Sequence, residues 1–141
     1  MKRLYDFSGL LKWIASTEMF ARPSRQLPGR WLLFEYYTED NDQLINHKEE
    51  QLKNKNHFWE LNFRSNGSLS QKSNIPVGYF KDISDVKWYV SRNYIIWKEM
   101  NEQGNIIEFQ FAISKGVLKL LKKYSDGRIE FFGFFKKPDR V

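Results

Sequence analysis

Few side chains in this sequence can do chemistry. It holds no cysteine and two histidines, His47 and His57. Without thiols there is no thiolate nucleophile, no cysteine metal site and no disulfide framework. The two histidines flank an acidic stretch, ten residues apart and off any common helical face. As chemistry they would be a metal pair or a haem ligand; the plainer reading is two solvated loop residues. No His-Glu-x-x-His, Gly-x-Ser-x-Gly, phosphate-loop or calcium-loop pattern occurs. Two carboxylates stand on apolar segments. Glu35 lies two residues after Leu33 and two before Tyr37. Facing inward with Trp31, it would need a partner such as Arg64 or Lys98, and could hold a cationic ligand or move a proton. Facing outward, it is an ordinary surface group. Glu99 has the same two readings. Neither a metal nor a resident cofactor is called for.

What the chain has in quantity is rings: Phe 12, Tyr 7 and Trp 5 among 141 residues. That load supplies the burial a disordered chain lacks, and the length suits one domain, 1–141. The net charge of +6 is spread, with residues 31–60 as its one acidic interval. Lys115, Lys119, Lys122, Lys123 and Arg128 form a basic run that could attract nucleic acid, with rings to stack bases. The rings, however, alternate away from that run, so a solvated sheet face is the better account and nucleic acid is disfavoured.

The elements are set by periodicity. Phe7, Leu10, Leu11 and Ile14 share one helical face, predicting a helix over 4–21 that stops before Pro23. Residues 1–27 are thus a helix and lead-in. Strands are then expected at 30–38, 57–64, 68–72, 86–91, 94–100, 105–113, 117–124 and 128–137. Asn66-Gly67 is the strongest hairpin signal, read as a type I′ turn. The polar stretch 38–56 is a long connection with room for one helical turn. Eight strands joined by short turns predict an all-β, eight-stranded antiparallel up-and-down barrel, which removes exposed edges. One residue in two then faces inward. The expected inward set is Trp88, Val90, Ile95, Trp97, Ile107, Phe109, Phe111, Leu118, Leu120, Ile129, Phe131 and Phe135. Phe132 and Phe134 point outward, able to receive the N-terminal helix, unless a break at Gly133 shifts the alternation. On the first strand the inward face is open between Leu32, Phe34, Tyr36 and Trp31, Leu33, Tyr37.

Gly29-Arg30-Trp31 opens the first strand after a short helix, and Asn66-Gly67 comes after Leu61-x-Phe63. Trp88-Tyr89-Val90 precedes Asn93-Tyr94-Ile95. Gly116-Val117-Leu118 and Tyr124-Ser125-Asp126-Gly127 lead to the closing strand. With these features residues 28–137 resemble the calycins, in particular a bacterial lipocalin-like domain. The resemblance implies that Trp31 plugs the closed end of the barrel and that a basic residue, Lys136 or Lys137, packs across it. Lysine stands where the family has arginine, and the family's Thr-Asp-Tyr loop motif and disulfide are absent.

The function expected on this reading is non-enzymatic binding of a small hydrophobic or aromatic molecule inside the barrel. Trp59, Phe63, Trp88, Trp97, Phe109 and Phe111 would line the cavity, with Glu35 as a polar contact and 39–56 as a lid; equally, the rings simply fill the core. The alternatives are a barrel enzyme (isomerase or lyase) on a similar substrate, and a filled barrel serving as a protein-interaction module. No apolar run reaches membrane-spanning length and no cleavable leader stands out. A cytoplasmic monomer or weak homodimer is expected.

Overall fold

The computed structural model describes residues 23–77, 80, 83, 85–102 and 104–138. The helix expected over 4–21 lies outside the described residues. The described chain opens on one helical turn, α1 (Pro23–Gln26), after which Leu27 is fully buried. Next come β1 (Gly29–Asp40), β2 (Gln43–His47), α2 (Glu49–Asn54), β3 (Trp59–Phe63), β4 (Ser68–Ser73) and β5 (Val86–Ser91). The last four strands are β6 (Tyr94–Glu99), β7 (Ile106–Ser114), β8 (Val117–Lys123) and β9 (Ile129–Lys136).

Strands β1, β3, β4, β5, β6, β7, β8 and β9 pair in that order, all antiparallel, and β9 pairs back to β1. This is a closed eight-stranded up-and-down barrel, as expected. β2 is a ninth strand, hydrogen-bonded to the far half of β1, Tyr36–Asp40. The near half, Gly29–Leu32, pairs with β3. A two-residue type I′ turn needs φ > 0 at both central residues, and Asn41 (50°) and Asp42 (63°) meet that need. Lys115 and Gly116 do the same between β7 and β8. Asn66-Gly67 makes a different hairpin. The Gly67 N–H donates to Arg64 O (3.0 Å), and Gly67 alone of the pair has positive φ, at 92°. That is a four-residue turn ending in a glycine bulge, also used at Tyr124–Arg128.

The registers define two ends. Gly29, the turns at 64–67, 92–93 and 115–116, and Lys136 share the bottom. The segment 41–58, the described residues 74–77, 80, 83 and 85 of the next connection, residues 100–102, 104 and 105, and the turn at 124–128 share the mouth.

Two bulges decide which side chains face in. Leu33 pairs with Phe135 and Glu35 with Phe134, so Phe34 is an extra residue. Trp31 and Leu33 therefore face inward, and after the bulge so does Tyr36; each of the two expected faces holds over half the strand. On β9, Lys122 pairs with Phe131 and Lys123 with Ile129, leaving Glu130 extra. Ile129 is thereby turned out of the barrel, against expectation, into an outer cluster with Ala112, Leu121 and Phe132. There is no break at Gly133. Alternation continues through it, because the glycine leaves room for the Phe131 ring. A Cβ there would lie 2.2 Å from Phe131 Cζ. The other inward residues fall as expected, Trp88 and Val90 only partly buried. Among the described residues no helix is long and apolar enough to cross a membrane.

Candidate functional site

The bottom of the barrel is closed by bonded groups. Trp31 Nε1–H donates to Leu27 O (2.8 Å). The Lys137 ammonium lies 5.2 Å from the centre of the Trp31 ring and donates to Pro28 O (3.2 Å). Of the two lysines expected across Trp31, it is Lys137 that covers it. Lys136 points the other way along the alternation, pairs with Glu49 (3.1 Å) and lies over Phe34. Gly29 admits this packing: its φ is 129°, and a Cβ there would lie 3.3 Å from Lys137 Nζ. Trp88 lies at the same end, edge-on to Phe63. Its Nε1–H is shared between Arg64 O and Ser68 O, so it ties β5 to the β3–β4 turn rather than lining a hollow.

The interior above is a stack of rings. The Trp59 ring centre lies 5.4 Å from Phe80, 6.1 Å from Trp97, 5.2 Å from Phe131 and 5.6 Å from Phe135. Trp97 lies 4.6 Å from Phe109 and 6.4 Å from Phe63. The edge-on and tilted geometries are those that aromatic quadrupoles favour. Of the expected lining residues, Trp59, Phe63, Trp97, Phe109 and Phe111 are all buried inside. Trp97 Nε1 is the exception to their satisfaction: buried, with no hydrogen-bond partner.

Phe80 differs from its neighbours in origin. It comes from the connection between β4 and β5, not from a strand. Its ring sits 5.4 Å from Trp59, 5.4 Å from Phe109 and 5.8 Å from Phe131. Ile75 and Ile83 of the same connection and Leu52 of α2 are buried with it. The mouth is therefore closed by side chains carried on connections. β4 and β5 pair over two residues each, Ser68–Lys87 and Leu69–Val86.

Gln71 fastens this plug. Its Oε1 accepts from Trp59 Nε1–H (2.9 Å), and its Nε2 donates to Phe80 O (3.1 Å) and Ile83 O (2.9 Å). Sequence reasoning passed over Gln71. The signal lay in its period-two spacing from Leu69, which put an amide on the inner face.

Beside the plug, at the mouth, is a pocket of about 50 Å³ lined by Tyr36, His47, Gln51, Leu52, Lys55, His57 and Pro76. The two histidines thus meet at one place. β2 and α2, the two elements within the expected lid, bring them there. Tyr36 and His47 are stacked at 4.2 Å with 10° between planes, and His47 Nε2 bonds Thr38 Oγ1 (3.2 Å). Burial, then the charges of Lys55 and His57, hold the His47 pKa below its usual value. Burial raises that of Tyr36, so its phenol stays a neutral donor. Among the described residues no group of three His, Cys, Asp or Glu is placed to hold a metal.

Glu35 does not line the interior. The Phe34 bulge turns it outward, where Oε2 accepts from Asn46 (2.9 Å) and from the Tyr37 hydroxyl (3.3 Å). Burial and Glu35 raise the Tyr37 pKa. Glu99 is buried at the rim and accepts from Asn105 Nδ2 (3.0 Å). Neither carboxylate stands beside a tyrosine or arginine in the ring stack. The outer cluster also holds Tyr37, Leu44 and Phe134. Lys119 lies over the Phe134 ring, and burial, with Lys115 nearby, pushes its pKa down to about 8.

No family model, curated protein or solved structure matches the chain.

Proposed function

We propose that this protein is a lipocalin-like member of the calycins that binds a small apolar or aromatic molecule without transforming it. One observation carries the reading: a ring supplied by a connection, Phe80, sits in a cup of strand-borne rings, Trp59, Phe109 and Phe131. The cup is built on the rigid wall and its occupant is not. An aromatic ligand of similar shape would displace Phe80 and recover the same edge-on contacts. Each Å² of apolar ligand surface buried there is worth about 25 cal/mol. Trp97 Nε1–H supplies one donor to orient an acceptor on the ligand. The lysine cover over Trp31 also supports the calycin resemblance.

The test is a titration of the wild type and of Phe80→Ala with naphthalene, read by quenching of tryptophan fluorescence. The wild type is expected to bind, and Phe80→Ala to bind more tightly, because no ring has to leave first. If Phe80→Ala binds and the wild type does not, Phe80 is a permanent core residue. The barrel is then a filled one, and the reading fails.

A further inference from the structure

We infer that the ligand carries an oxyanion, a carboxylate on an apolar body, and that the pocket formed by Tyr36, His47, Lys55 and His57 at the barrel mouth receives it. The inference rests on the binding function just proposed and names the class of ligand.

The size of the pocket limits what it can hold. A volume of about 50 Å³ is near that of one or two waters, each taking about 30 Å³ in the liquid. It fits a carboxylate head and not a whole ligand, so the rest of the molecule must lie elsewhere. The neighbouring rings show where. Tyr36 lines the pocket and stacks on Phe131 at 5.5 Å; Phe131 is one wall of the Phe80 cup. Head pocket and ring cup therefore share a partition two rings thick.

The lining chemistry favours a negative head. Lys55 brings an ammonium, His47 and His57 bring imidazole nitrogens, and Tyr36 is a phenol that burial keeps protonated. Among the described residues no carboxylate lines the pocket. Among the described residues four cations elsewhere are matched to acids: Arg30 with Glu60, Lys122 with Glu130, Arg128 with Asp126 and Lys136 with Glu49. Glu49 of α2 is spent on Lys136, on the other side of the helix from this pocket. Burial first, and then the charges of Lys55 and His57, disfavour a further positive charge on His47. An oxyanion would offset those charges and accept charge-assisted hydrogen bonds, which are about twice as strong as neutral ones.

The experiment compares naphthalene-2-carboxylate with naphthalene-2-carboxamide. Each is titrated into the full chain and into the double variant Lys55→Gln/His57→Gln, by tryptophan quenching. Both positions are solvent-reaching, and thermal unfolding checks that the variant folds. The wild type is expected to prefer the carboxylate by about tenfold or more. In the variant the preference should vanish while amide binding stays unchanged. Equal binding of the two by the wild type, or a preference that survives in the variant, overturns the inference and leaves the cup intact. If neither compound binds the wild type, the cup and its head pocket fail together.

Discussion

Replacing Gln71 by leucine tests whether one amide holds the mouth shut. Leucine keeps most of the volume and removes all three hydrogen bonds: Trp59 Nε1–H to Oε1, and Nε2–H to Phe80 O and Ile83 O. Trp59 is fully buried, so its N–H is left with no acceptor. A buried group stripped of its partner costs about 1–3 kcal/mol. The two carbonyls belong to a connection at the mouth and can turn toward water, which recovers part of their share. The sum is about 2–4 kcal/mol. At roughly 3–4 °C per kcal/mol for a chain of this size, Tm should fall by about 6–16 °C. Thermal unfolding by circular dichroism reads that number. Amide hydrogen exchange reads the location: the Ile75 and Ile83 amides should exchange faster, while Phe109 and Leu120 in the wall keep their protection down to global unfolding. Gln71→Glu is the control, since it keeps the acceptor for Trp59 and loses only the two donors. At acidic pH its carboxyl is protonated and the O–H returns one donor to the plug carbonyls, so there it should loosen Ile83 less than leucine does and cost less in Tm. A leucine variant that melts within about 1 °C of wild type, with Ile83 exchange unchanged, would refute the tether.

Two more expectations concern the wall. Gly133→Ala places a Cβ 2.2 Å from Phe131 Cζ and 3.1 Å from Leu33 Cδ1. Phe131 is hemmed by Tyr36, Trp59 and Phe80, so the loss should exceed the usual ~1–3 kcal/mol of overpacking; Phe131→Leu in the same chain should restore part of it, and an alanine variant as stable as wild type counts against the packing described. Lys119, with its pKa near 8 when folded, sheds its proton earlier than in the unfolded chain, which binds more protons between pH 8 and the ordinary lysine value. Stability should therefore rise with pH across that window, and Lys119→Met should flatten the rise in Tm-versus-pH curves.

The barrel was legible because its signal is redundant. Along β5–β9 nearly every second residue is apolar, Glu99 and Lys122 excepted, and the short turns favour pairing of consecutive strands; that leaves few ways to close the sheet. The site was less legible, for three separate reasons. A bulge is one extra residue with no mark of its own. Phe34 and Glu130 each invert the alternation on one side of themselves, which is how Glu35 and Ile129 came to face away from the expected side. The pocket depends on distance in space. His47 and His57 are ten apart in sequence and share no face, yet the intervening six-residue α2 returns the chain so that both line one hole. Finally, the ring cup was readable as a set of inward aromatics. Its occupant was not: Phe80 sits in a stretch with no periodicity, and nothing local says that a loop residue will be the most central ring.

The asymmetry between the two ends bears on where a ligand could pass. At the bottom, Trp31, Trp88 and Lys137 are fixed by bonds to backbone carbonyls of neighbouring turns. Opening that end means leaving those carbonyls unpaired and separating strands along full ladders. At the mouth, Leu52, Ile75, Phe80 and Ile83 close the barrel through apolar contact, with Gln71 and Asn74 as polar fastenings, beside a β4–β5 ladder two pairs long. Moving Phe80 and Ile83 breaks the two hydrogen bonds from Gln71 Nε2 and no extended ladder. The cost of access thus falls on one connection, next to the pocket where His47, Lys55 and His57 gather. An arriving anion would meet Lys55 and the imidazole donors before it met the rings, and its apolar body would then compete with Phe80 for the cup. On this reading the order of events is set by geometry: charge is recognised at the rim first, and the subsequent ring exchange supplies most of the affinity.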